Sequence, residues 1–220
     1  GAGTTAWGTA ANWAGDTAPS ADDGSESIVI PGGLATYPVL PVAGYNMSSL
    51  SVAAGGQLTL NGEPLTVASI SNEGLIVAQG GETVTLSGNT GNAIVDFDTD
   101  SGTVEYTDLY NGALAFGPSY YNLTVSSGNL RPNANLEAAN DLTITITGLL
   151  NLGTNGVDLT VGGDFTALGA LSPGTQTVSF QSVTGGGTTG TISIDTGTLA
   201  FFFNLIFDDG GGGATYEFQN

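Results

Sequence analysis

Glu63-Pro-Leu-Thr-Val67 followed by Thr83-Val-Thr-Leu86 returns later in the chain as Val157-Asp-Leu-Thr-Val161 followed by Thr177-Val-Ser-Phe180. Leu65 to Leu159 and Thr83 to Thr177 both span 94 residues. A second landmark repeats in the same order: Tyr120-Tyr-Asn-Leu-Thr-Val125 before Ser-Ser-Gly128 matches Phe202-Phe-Asn-Leu-Ile-Phe207 before Asp-Asp-Gly210, and Tyr45-Asn-Met-Ser-Ser-Leu-Ser-Val52 is a weaker version. Apolar residues alternate with Thr and Ser in each, the period-2 pattern of a half-buried strand. Chance alternation explains any one match. Three in one order mark a supersecondary unit copied along the chain.

The same short alternating runs continue outward, as Ile28-Val-Ile30, Leu50-Ser-Val52, Leu58-Thr-Leu60, Leu75-Ile-Val77 and Val84-Thr-Leu86, each bounded by Gly, Asn, Ser or Asp. No window carries apolar residues at i, i+3, i+4 and i+7 behind a helix cap. The fold class expected is all-β. Brief strands joined by Gly/Asn turns suit a parallel β-solenoid, with coils of about 20 to 25 residues stacked about 4.8 Å apart. A β-sandwich also uses many short strands but needs hairpins. Asn-Gly turns that could supply them are few: Asn61-Gly62, Asn111-Gly112 and Asn155-Gly156. The spacing therefore favours the solenoid (β-helix) over the sandwich. It divides the chain into a segment 1–44 and a repeat body 45–220, with copies at about 45–116 and 120–201 and an incomplete third.

Composition excludes several functions. The 220 residues include 36 Gly, no Cys, no His, no Lys and a single Arg, Arg131; 20 acids leave a net charge of −19. Nothing here could neutralise nucleic-acid phosphates, and an anionic membrane surface would repel the chain. No stretch approaches the run of about 20 apolar residues that crosses a bilayer. Ser-His-Asp catalysis and His/Cys zinc sites lack their residues. At 40% hydrophobic residues the chain is too apolar for a disordered acidic tail. A start at Gly1, the absence of Lys and one Arg fit a processed, secreted chain with little for trypsin-like proteases to cut.

Residues 1–44 are irregular and hold both tryptophans, Trp7 and Trp13. A stack of coils exposes open backbone groups and an apolar cross-section at its ends, so this segment is expected to act as a cap, with the tryptophans as capping core rather than a sugar platform. At the other end, Leu199-Ala-Phe-Phe-Phe-Asn-Leu-Ile-Phe207 is the most apolar run, and Tyr216-Glu-Phe218 opens another strand. Left bare, such a segment is an aggregation site. The reading that follows is head-to-tail self-association. Its expected subunit interface joins Trp7, Trp13, Ile28 and Ile30 to Phe201, Phe203, Phe207, Tyr216 and Phe218. Unlike ends make a heterologous contact, which propagates as an open filament.

Among the acids, Asp96-Phe-Asp-Thr-Asp100 is the densest group. On a strand Asp96, Asp98 and Asp100 share one face, and three hard oxygen donors are a candidate Ca²⁺ site. The run begins like an EF-hand loop, but Ser101 stands where Gly is needed and Thr107 where the bidentate Glu belongs. Asp22-Asp23 with Glu26, and Asp208-Asp209, are weaker candidates. No other cofactor is expected. Asn46-Met-Ser48 and Asn122-Leu-Thr124 match the glycosylation pattern, which Asn/Thr richness alone produces.

The order Trp7, Asn12-Trp13, Pro19, Asp22, Ile28-Val-Ile-Pro-Gly32, Tyr37-Pro-Val-Leu40, then Leu58-Thr-Leu-Asn-Gly62, Val161-Gly-Gly-Asp-Phe165 and Tyr120-Tyr-Asn-Leu-Thr-Val125 resembles the β-repeat, adhesin-like regions of large secreted bacterial surface proteins. The resemblance spans nearly the whole chain and implies an extracellular, cell-surface, structural or adhesive role with no catalytic residues. β-Helical polysaccharide-cutting enzymes are the rival. Asp208-Asp209 mimics their paired acids, but they depend on basic residues or His, and Arg131 is the one cation. The expectation is therefore a non-enzymatic, self-assembling structural subunit of an extracellular filament or surface fibre. The alternative is a glycan- or surface-binding segment of an adhesin, with extracellular glycans as partners.

Overall fold

Leu65 pairs with Val84, and Leu159 with Val178, in both cases across parallel neighbouring strands. The repeated landmark is thus two stacked rungs. The computed structural model describes residues 5–14, 16–20, 23–41, 43–78, 80–87, 102–107, 109–113, 119–181, 189–194, 202–208 and 215–219. They divide between two units, Gly1–Thr103 and Val104–Asn220.

In the first unit, after one 3-10 turn at Ala10–Asn12, the strands are β1 (Ser27–Ile30), β2 (Tyr45–Val52), β3 (Gln57–Thr59), β4 (Leu65–Asn72), β5 (Leu75–Val77) and β6 (Thr83–Leu86). β1, β2, β4 and β6 form one parallel ladder. β3 and β5 form a second, which single bridges extend from Thr59 to Val39 and from Val39 to Ala6. Parallel pairing therefore already runs through the segment 1–44, with Ser27 opposite Ser49 and Ile30 opposite Val52.

The second unit carries β7 (Thr103–Tyr106, starting at the boundary), β8 (Leu109–Ala113), β9 (Ser119–Tyr120), β10 (Asn122–Leu130), β11 (Leu136–Ala138), β12 (Leu142–Asn151), β13 (Leu159–Val161), β14 (Phe165–Ala167), β15 (Ala170–Ser172), β16 (Thr177–Gln181), β17 (Thr189–Ile194), β18 (Asn204–Asp208) and β19 (Thr215–Gln219). One ladder runs β10-β12-β14-β17-β19, with β8 against β10 and β15 against β12; the other runs β9-β11-β13-β16-β18. From β9 on, strands alternate between the two ladders, except that β14 and β15 follow one another along the first, each against one half of β12; this is the winding of a solenoid.

Every strand pairing resolved among the described residues is parallel, as in β2 with β4 and β16 with β18. That excludes the antiparallel sandwich. Strand partners on neighbouring rungs stand from 17 positions apart (Ala113 and Leu130) to 27 (Thr177 and Asn204), a wider range than the spacing of the sequence runs suggests. The Asn-Gly pairs make no hairpins. Asn61-Gly62, with φ of 59° and 79°, turns the chain from β3 into β4 of the other ladder; Asn111-Gly112 lies inside β8.

Along most strands buried residues alternate with more open ones, with breaks at the middle of β2, β4, β10 and β12; β18 is exposed throughout. Leu65, Val67, Val84 and Leu86 are fully enclosed in one unit, and Leu159, Val161, Val178 and Phe180 in the other. Each such side chain contributes about 1.5–3 kcal/mol of burial, and stacking like on like carries the core along the coil axis. The longer strands are two short ones joined at a bend. In β10 the register slips between Val125 and Ser127, and the carbonyl of Ser126, freed from the ladder, accepts the hydroxyls of Thr145 (2.5 Å) and Thr147 (2.7 Å). At that bend a side chain on Gly148 would meet the Val125 carbonyl at 2.1 Å, and one on Gly169 the Thr145 carbonyl at 1.9 Å. Glycine is required where coils close this tightly. No helix among the described residues is long and apolar enough to cross a membrane.

Candidate functional site

Acids and amides at the strand entries of the second unit form two columns. Asn122 Oδ1 accepts the backbone N–H of Asp141 (3.2 Å), Asp141 Oδ1 that of Asp164 (2.9 Å), and Asp164 Oδ1 that of Thr191 (2.7 Å). In the other ladder Asn135 Oδ1 takes the N–H of Asp158 (3.0 Å), and Asp158 Oδ1 that of Thr177 (2.7 Å). Each side chain thus reaches one rung onward and satisfies the N–H just ahead of an inward residue of the next rung. Each precedes the first inward Leu or Phe of its strand, Leu123, Leu136, Leu142, Leu159 or Phe165. Sequence reading missed these residues, although Asn/Asp before Leu/Phe recurs visibly in the sequence.

In the first unit, glutamates brace the turns of the preceding coil. Glu63 Oε2 accepts the N–H of Ala43 (2.9 Å), and the buried Glu82 accepts those of Gly62 (2.9 Å) and Gly80 (2.7 Å). Glu26 accepts the N–H of Ser20 and the hydroxyl of Tyr45. Asp23 accepts from Ser25, whose hydroxyl above all and whose backbone N–H (2.9 Å) hold its carboxyl below the usual range. These oxygens serve the chain itself. Among the described residues no three acids are grouped as metal ligands. Asp96, Asp98 and Asp100 lie outside the described residues, as do Asp22 and Asp209.

Trp7 is buried, with ring centroids 5.0 Å from both Trp13 and Tyr45, and its carbonyl accepts the Trp13 indole N–H at 2.7 Å. Ile28 and Ile30 also face the core of their own unit. Of the N-terminal residues expected at a subunit contact, Trp13 alone keeps substantial accessible surface. It borders a cleft of about 500 Å³ that also touches Asn12, Val29, Pro31, Leu34 and Pro38. Val29 (64% exposed) and Leu34 stand out to solvent beside it. Among the described residues none that lines this cleft is charged.

At the far side of the second unit, β18 is the outer strand of its ladder and is exposed along its whole length. Phe203 is 67% exposed, Phe207 44%, and Leu205 and Ile206 are comparably open. Phe207 nonetheless stacks on the fully buried Phe180, while Phe202 lies edge-on to Phe165 and Phe180. Phe201 lies outside the described residues; Tyr216 and Phe218 lie in β19, paired to Gly190 and Ile192. The two largely apolar surfaces, the Trp13 cleft and β18, are the candidate sites. No family model matches the chain, and no curated protein or solved structure matches it either.

Proposed function

We propose that this chain is a non-enzymatic building block of an extracellular filament or surface fibre, joined head-to-tail through its solenoid ends. The observation that carries the reading is β18, the outer strand of a parallel ladder, which presents Leu205, Ile206 and Phe207 to solvent with Phe203 just ahead of it. An exposed apolar strand edge pairs readily with another chain. Stacked apolar columns and side-chain columns bonding rung to rung give stiffness. The resemblance to secreted bacterial β-repeat regions and the near absence of trypsin sites support an extracellular setting.

Negative-stain imaging and sedimentation at rising salt test the proposal. The expected result is fibres whose formation Phe203→Asp abolishes while the melting temperature of the monomer stays unchanged. A monodisperse monomer at high concentration and high salt contradicts it. Glycan-array binding by that monomer would favour the adhesin reading.

A further inference from the structure

Resting on that head-to-tail reading, we infer the register of the contact: β18 of one copy takes β1 of the next as its following parallel rung, with Asn204 opposite Ser27, Leu205 opposite Ile28, Ile206 opposite Val29 and Phe207 opposite Ile30. The occupant is a second copy of this chain.

Three independent phases agree on this register. The first is backbone direction. In a parallel strand the N–H and C=O of alternate residues point to opposite neighbours. In β1 the carbonyls of Glu26 and Ile30 bond to β2, through Ser48 (2.8 Å) and Ala53 (2.9 Å), so Ser27 and Val29 turn their groups to the other side. In the β18 ladder, the N–H of Leu136 reaches onward to the Asp158 carbonyl at 2.9 Å. Leu159 and Val178 follow Leu136 in that column, and Leu205 comes next. Leu205 thus directs its N–H and C=O outward, towards a rung whose residues opposite Asn204 and Ile206 face back. Ser27 and Val29 are oriented to be those residues.

The second phase is side-chain alternation. Leu205 and Phe207 continue the inward columns of Val178 and Phe180, and Ile28 and Ile30 are the inward residues of β1. A slip by one residue would set inward against outward chains. The third is the polar column. Asn135, Asp158, Thr177 and Asn204 stand in one line, and the first two each accept the next rung's N–H. Asn204 donates through Nδ2 to the Thr175 carbonyl at 3.3 Å, which leaves Oδ1 placed to accept the N–H of Ser27.

Space and charge favour the same partner. The cleft of about 500 Å³ adjoins Val29, Ile30 and Pro31, where Phe207 would arrive. In a chain of net charge −19, the described residues of the cleft include no acid, and β18 carries only Asp208, at its end. These are surfaces that two copies can join without setting carboxylate on carboxylate.

The chain has no cysteine, so the test is a mixed cross-link. Full-length Val29→Cys and Ile206→Cys chains, each shown to melt like the parent, are mixed and oxidised in about 1 M salt, where charge screening acts within about 3 Å. The expected result is disulfide-linked dimer from this pair and none from Val29→Cys mixed with Asp208→Cys, two residues out of register. Filaments that form while the Val29/Ile206 pair stays reduced would overturn the register and leave the assembly reading standing. No assembly of the parent chain at any salt concentration would overturn both.

Discussion

Phe207 lies stacked on Phe180, with ring centroids 5.6 Å apart and planes 19° from parallel, in the register that pairs their backbones. One face of the Phe180 ring is thereby closed within the chain, and the same kind of face is offered again by Phe207. The two rings should answer differently to truncation. Phe180→Ala empties a fully buried site and costs about 3–5 kcal/mol. Phe207→Ala, at a half-open site, costs the monomer about 1 kcal/mol but prevents assembly. Urea melts of both variants, with sedimentation of the second, check this.

The columns of Asn and Asp predict a contrast between two substitutions. Asp164→Ala strips the acceptor from the Thr191 N–H and costs about 1 kcal/mol. Asp164→Asn keeps an oxygen in place, as Asn122 does in the same column, and removes a negative charge beside Asp141. It should leave the melting temperature equal or slightly raised at low salt. Calorimetry of the two variants at low and high ionic strength separates the effects.

These columns also show what was legible. Alternation in Leu65-Thr-Val67 or Leu159-Thr-Val161 declared the strands, and the lack of hairpins declared the solenoid. The assignment of strands to ladders was not legible. Asp141-Leu-Thr-Ile144 starts a strand of one ladder and Asp158-Leu-Thr-Val161 a strand of the other, because both make the same use of an acceptor followed by inward residues. Composition presented the acids as a repulsion to be relieved by solvent or metal, whereas Asp141, Asp158, Asp164 and Glu82 serve as acceptors for backbone N–H groups. At the N-terminal segment, Ile28-Val-Ile30 reads as a strand in sequence, but only the pairing of Ser27 with Ser49 shows it to be a rung. Val29 and Leu34 went unnoticed because single exposed aliphatics carry no sequence signal.

Glu82 joins two turns. Glu82→Ala removes the acceptor of both Gly62 and Gly80 and should cost about 1–3 kcal/mol. Glu82→Gln retains an oxygen for one of them and should cost about half as much. Amide exchange at Gly62 and Gly80, faster in the alanine variant than in the glutamine variant, ties the loss to these bonds.

The bend at Gly169 predicts intolerance of a single methyl. Gly169→Ala drives Cβ against the Thr145 and Gly148 carbonyls and should cost about 1–3 kcal/mol or more, as an overpacked site does. Gly8, with open space around it, should accept Ala with a change within about 0.5 kcal/mol. Thermal melts of the two variants give the comparison.

Asp23 supplies a test in acid. Ser25 favours its charged form in the folded chain, so its contribution is present above the unfolded-state pKa and is lost as pH falls through the lower folded value. A carboxyl-detected NMR titration should place Asp23 below the ordinary aspartate value, and Ser25→Ala should move it back up.

Paired cysteines in the cysteine-free chain measure directly whether the rungs stack in parallel register. Thr160 stands opposite Ser179 on adjacent rungs, whereas Thr177 is two positions out of step with Thr160. Disulfides need Cα atoms within about 7 Å. Thr160→Cys with Ser179→Cys should oxidise to an intrachain disulfide, and Thr160→Cys with Thr177→Cys should stay reduced. Free thiols in the first pair, or a bridge in the second, would contradict the solenoid.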